Sequence, residues 1–104
     1  MRTVITALHC EIPDPLRERA EAIGERLGHL VPRGHECVIV FDVEGASSMA
    51  TAEVRLHIPR GKWLVARSSE VDHRTALDRA EEKLKHQLDK TLNKPSARAK
   101  AQGA

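Results

Sequence analysis

The sequence predicts an α+β domain in the order β-α-β-β-β-α, a four-stranded sheet with two helices packed on one face. Two observations carry this reading. Two stretches space their apolar residues three or four apart, as a helix with one buried stripe does. Four others alternate apolar with polar residues, or run rich in β-branched ones, as strands do. Two amphipathic helices then cover one sheet face and leave the other to solvent. The chain has 104 residues, 40% of them apolar, which suits one domain with a single modest core. Phe41 and Trp63 are its only aromatic residues besides histidine, so that core must be aliphatic and alanine-rich.

The elements follow in order. Arg2–Leu8, with its Thr, Val and Ile, reads as a short strand. Asp14-Pro15 is a helix start, an N-cap residue followed by proline at the first helical position. Leu16, Ala20, Ile23, Leu27 and Leu30 continue the helix to about residue 30, weakened in its middle by Gly24, and Pro32-Arg33-Gly34 breaks it. Cys37–Val43 is the most β-prone stretch, with Cys37, Ile39, Phe41 and Val43 on one face. Glu44–Ser48 is a turn or short loop. Strand three spans 50–58, with Ala52, Val54, Leu56 and Ile58 inward and Glu53, Arg55 and His57 outward. Pro59–Lys62 makes a hairpin turn. Strand four, 62–69, sets Leu64 and Ala66 against Trp63, Val65 and Arg67. Asp72 then caps a second helix whose apolar stripe is Leu77, Ala80, Leu84, Leu88 and Leu92. Pro95 stops it near Asn93. Residues 1–94 thus form a single domain and 95–104 a flexible tail.

Charge is divided along this chain. Residues 1–78 hold ten Lys/Arg against twelve Asp/Glu, and residues 79–104 hold seven against three. A positive helix on a near-neutral domain attracts polyanions through counterion release, and phosphate backbone is the commonest such partner. On the second helix Arg79, His86, Lys83, Lys90 and Lys94 form one stripe, about 130° around from the apolar one. Asp78, Glu82 and Asp89 gather on another flank, where Lys85 can pair with Glu81 and Asp89. A merely solvated face interleaves its signs, whereas this one sorts them. On the first helix Arg19 and Arg26 share a flank, with Arg33 beyond its end. They either border the same groove or pair with the helix's own glutamates. Few aromatics argue against base-stacking RNA modules and for recognition of backbone and shape. Trp63 is read as packing or as a lone stacking platform.

Signals for catalysis are weak. The sequence has no phosphate-binding glycine loop and no G-x-S-x-G elbow, and Ser47-Ser48 and Ser68-Ser69 have no reason to be nucleophilic. His9 and Cys10 are neighbours that point apart on a strand. His29, His35 and Cys37 meet no zinc spacing, so neither metal nor cofactor is expected. Cys10 and Cys37 form no C-x-x-C, and no apolar stretch is long enough for a signal sequence or a bilayer span. This predicts a reduced, cytoplasmic protein with no membrane partner and no small-molecule substrate, Cys37 being a core residue.

Three segments resemble the ribosome hibernation-promoting factor family, which includes the ribosome-associated inhibitor and was once called sigma-factor modulation protein. Glu11-Ile12-Pro13-Asp14-Pro15-Leu16-Arg17 is similar to the family's E-I-T-x-x-[IL]-R. Ile58–Ala66 is similar to its I-x-x-x-G-x-L-x-A region. Most specific is Asp72–Lys94, which resembles D-M-Y-x-A-I-D-x-x-x-x-K-L-x-R-Q-L-x-K at Asp72, Ala76, Leu77, Asp78, Lys83, Leu84, Gln87, Leu88 and Lys90. The resemblance covers about 1–94 and implies a fold like a double-stranded-RNA-binding domain. It also implies binding to the small ribosomal subunit in the channel that otherwise holds mRNA and tRNA, silencing idle ribosomes in stationary phase or stress. The family's basic positions match Arg26, Lys83, His86, Lys90 and Lys94. Arg74 replaces the family tyrosine, His86 stands where arginine is usual, Ile23 where a basic residue is frequent and Gly24 where leucine is usual. The short form of the family is the closer likeness.

The function expected is therefore that of a non-enzymatic translation inhibitor. Its ribosomal RNA contact is Arg26, Arg79, Lys83, His86, Lys90 and Lys94. The alternative is a protein–protein regulatory module using the open sheet face, disfavoured because strands two and three offer few exposed apolar groups.

Overall fold

A computed structural model describes residues 1–31 and 33–92, without the side chain of Leu92. The elements are β1 (Arg2–Ala7), α1 (Asp14–Leu30), β2 (Glu36–Val43), β3 (Ala50–Ile58), β4 (Lys62–Glu70) and α2 (His73–Leu92). The order β-α-β-β-β-α is the expected one. The strands lie in the sheet as β1-β2-β3-β4, with β1 parallel to β2 and the other two pairings antiparallel. A helical crossover is what a parallel neighbour requires, and α1 supplies it, whereas tight turns suffice for the antiparallel pairs. Lys94 and the expected tail at 95–104 lie outside the described residues.

One face of the sheet is the core. Cys37, Ile39 and Phe41 of β2 and Ala52, Val54, Leu56 and Ile58 of β3 are buried there. They pack with Ala66 of β4, with Leu16, Ala20, Ile23 and Leu27 of α1, and with Ala76, Leu77, Ala80, Leu84 and Leu88 of α2. The helices lie side by side on this face, α1 over β1 and β2 and α2 over β3 and β4. Strand alternation dictates the division, since every second residue turns to the opposite face. The same alternation puts Val38 and Val40 of β2 on the outer face, where they are half-buried beside Val4, with Val65 of β4 exposed; no large apolar residue of β2 or β3 is exposed.

Helix starts are where local chemistry shows most clearly. Asp72 caps α2 as expected: its carboxylate accepts the Thr75 N–H at 2.7 Å and the Thr75 hydroxyl at 3.1 Å. His73 then anchors that end to the sheet, donating from Nε2 to the Asp42 carbonyl at 2.8 Å and meeting Phe41 edge-on. At α1 the cap is Pro13 rather than Asp14. The Pro13 carbonyl accepts the N–H groups of Leu16 and Arg17 with no side-chain cap, because Asp14 is already helical. The hairpin between β3 and β4 is a single 3-10 turn, Pro59–Gly61, in which both Arg60 (φ 72°) and Gly61 (φ 71°) are left-handed.

Candidate nucleic-acid interface

Helix α2 presents three flanks. The apolar one is sunk in the core. The flank toward α1 is held by ion pairs between the helices. Arg19 donates to both oxygens of Asp78, at 2.8 and 3.1 Å, which holds its guanidinium pKa above the ordinary value. Arg26 forks onto Glu81, with its shortest contact at 3.0 Å, and Lys85 approaches the same carboxylate at 3.4 Å. Glu81 is 8% exposed, so a buried carboxylate sits between two cations. Arg26 and Arg19 therefore pair with acids of the other helix, and not with the glutamates of their own. Lys85 pairs with Glu81 as expected.

The remaining flank faces away from α1, toward the free edge of β4. Lys83 donates from Nζ to the Arg67 carbonyl at 3.0 Å, and Gln87 donates to the Val65 carbonyl at 2.9 Å. Both carbonyls point out from the last strand of the sheet, where an uncovered edge would invite pairing with another chain. The two side chains cover that edge and fix the rotation of α2 against it. Arg79, Lys83, His86 and Lys90 are all exposed along this side. Arg79 keeps a loose contact with Glu82 at 4.0 Å. His86 and Lys90 make no hydrogen bond or ion pair among the described residues.

The structure thus brings together four of the six expected contact residues: Arg79, Lys83, His86 and Lys90. It sets Arg26 apart. Its partner Glu81 is two residues from Lys83, hence about 200° around the helix. Arg67 meets the stripe through its carbonyl alone, under Lys83; its exposed side chain is on the outer face of β4, opposite the helices. Helical periodicity could not find this contact, because it arises from the pairing of a helix flank with a sheet edge.

Chemistry beyond charge is sparse among the described residues. Burial pushes the Cys37 thiol up to about 11 and raises Cys10 as well, leaving both cysteines as free thiols with little thiolate. No three His, Cys, Asp or Glu side chains gather as a metal site there. No described helix is long and apolar enough to cross a membrane.

Solved structures of the same architecture exist. A ribosomal subunit interface protein from Coxiella burnetii superposes with a TM-score of 0.70 at 21% identity, over 88% of this chain and 97% of that one. The N-terminal domain of Thermus thermophilus Protein Y gives 0.72 at 24% identity, over 88% of this chain and 99% of that one. No curated protein matches significantly in sequence. The model of the family described as Sigma 54 modulation protein / S30EA ribosomal protein matches residues 3–96. That match runs through both helices and all four strands: the chain belongs to this family of ribosome-associated, translation-regulating proteins, which is not a family of enzymes.

Proposed function

We propose that the protein binds the small ribosomal subunit in the channel for mRNA and tRNA, holding cytoplasmic ribosomes idle in stationary phase or stress. One observation supports this most. Lys83, His86 and Lys90 stand with Arg79 on a single exposed flank of α2, while Asp78 and Glu81 are turned toward α1 and neutralised there. Lys83 and Lys90, with no acidic partner among the described residues, release counterions when they meet phosphate, and the rigid helix fixes their spacing. Lys94 extends the same stripe by sequence. Arg26, already met by Glu81, adds less in this reading. The mechanism is occlusion, which needs shape and charge and no catalytic group. The valines of the outer sheet face support a protein–protein role less well, since Glu53, Arg55 and Arg67 interrupt them.

Co-sedimentation with isolated small subunits tests the proposal. Binding is expected at low salt, weakening steeply as salt rises, and it should compete with mRNA and initiator tRNA. Binding that ignores those competitors would remove the channel from the account.

A further inference from the structure

Three rings line up across the solvent-facing side of the sheet. Trp63 of β4 pairs in register with His57 of β3, their ring centroids 4.5 Å apart and their planes 6° from parallel. His35, just before β2, continues the row at 5.0 Å and 44°. Trp63 nonetheless stays 44% exposed. It stands on the edge strand of the sheet, so among the described residues no fifth strand covers its far side. The end of the hairpin is basic: between Val54 and Ser69 lie Arg55, Arg60, Lys62 and Arg67 and no Asp or Glu, while Glu36 and Glu53 stand farther across the same face, opposite His57 and Arg67. Of these only Arg55 has an ion-pair partner among the described residues, Glu53. Packing alone accounts for the stack on His57, but not for an open tryptophan face beside a hairpin tip that carries only cations.

We propose that Trp63, backed by His57 and His35, is a stacking platform for one unpaired nucleobase of single-stranded RNA, with Arg60 and Lys62 meeting the flanking phosphates. This rests on the ribosome-binding reading and adds to it a partner of stated chemistry, an unpaired nucleotide rather than helical backbone. A flat aromatic face beside several cations suits a ligand that is itself both flat and anionic. An acidic peptide lacks the ring, and an aromatic peptide lacks the repeated charge. The parallel ring behind Trp63 holds it upright before binding, so little side-chain freedom is lost on stacking.

Trp63 is the only tryptophan, so intrinsic fluorescence reports on this site alone. The full chain is titrated with an adenosine octaribonucleotide and, separately, with inorganic polyphosphate at equal phosphate concentration. Saturable quenching by the oligonucleotide and not by polyphosphate is expected. Measured instead by anisotropy of an end-labelled oligonucleotide, which needs no tryptophan, Trp63→Leu should weaken binding about tenfold, within the range for removal of one stacked base. Trp63→Phe should restore part of that affinity, which separates stacking from any change in folding. Absent quenching, equal quenching by polyphosphate, or unchanged affinity in Trp63→Leu would overturn the inference. If Trp63→Leu still binds small subunits as the parent does, only this inference falls. The ribosome-binding reading is judged separately, on variants of α2.

Discussion

Replacing Gly24 with alanine sets two opposed effects against each other at one contact. Gly24 is buried in the middle of α1, directly over Thr3 of β1. A Cβ there would stand 2.7 Å from Thr3 Cγ2 and 3.1 Å from its Cβ, and closer still to Oγ1. In a helix interior alanine is worth about 1 kcal/mol over glycine. Overpacking a filled site costs about 1–3 kcal/mol. Thr3 cannot swing clear, because its β-branched side chain keeps two heavy atoms in any rotamer and its backbone is fixed opposite Cys37. Overpacking should therefore win, and Gly24→Ala should destabilise by about 1 kcal/mol. Thr3→Ala removes the two nearest atoms, Oγ1 and Cγ2, and leaves only its Cβ, at 3.1 Å, so in the double variant most of the helix gain returns. The coupling between the two sites should be about 1–2 kcal/mol in favour of the pair. Urea denaturation of the four proteins measures it, with unchanged slopes as the condition for comparison. A Gly24→Ala variant more stable than its parent, or strict additivity in the double variant, would show that α1 does not press on β1 here.

Other predictions concern single side chains. Asp72→Ala should lower the melting temperature by exposing the Thr75 N–H, while Asp72→Asn keeps most of the cap. The bond from Thr75 holds the Asp72 carboxyl below its ordinary pKa of 3.8. Its contribution is thus complete above that value and disappears as pH falls through the lower folded one, so parent and Asp72→Ala should converge in stability in strong acid. With a thiol reagent at pH 8, Cys37 should stay unreactive in the folded protein while the partly exposed Cys10 reacts, and both should react in denaturant. Equal rates for the two thiols in the native state would contradict the burial of Cys37.

The fold was legible because each element carried its own period. Leu77, Ala80, Leu84 and Leu88 announced α2, and Ala52, Val54, Leu56 and Ile58 announced β3 to the residue. Ala76 was missed as a core residue although it stands four residues before Ala80, on the same buried row. Sorting of charge on α2 was equally readable, since it depends on angle around one helix. What the sequence could not supply was which flank met which neighbour. The engagement of Arg26 with Glu81 joins residues 55 apart, and that of Lys83 with the Arg67 carbonyl joins residues 16 apart. Both depend on how α2 is rotated over the sheet. The alternation of β2, by contrast, was readable: Cys37, Ile39 and Phe41 share one face by sequence and are all buried in the core.

The measurement that bears most directly on the central claim is the salt dependence of small-subunit binding for the parent chain and for Lys83→Ala/Lys90→Ala. Neither lysine is in the core, and Gln87 still holds α2 to the β4 edge when the exposed Lys83 bond is lost, so the double variant should fold, with a denaturation midpoint at most slightly below the parent's. Removing one phosphate-bound cation should flatten the plot of log affinity against log salt by about one unit. The slope of the double variant should therefore fall by up to about two units, and its affinity should drop at every salt concentration. Arg26→Ala, removing a cation already paired with Glu81, should change the slope far less. A folded Lys83→Ala/Lys90→Ala protein that binds with the parent's affinity and the parent's slope would show the α2 stripe to be a solvated face and not the RNA contact.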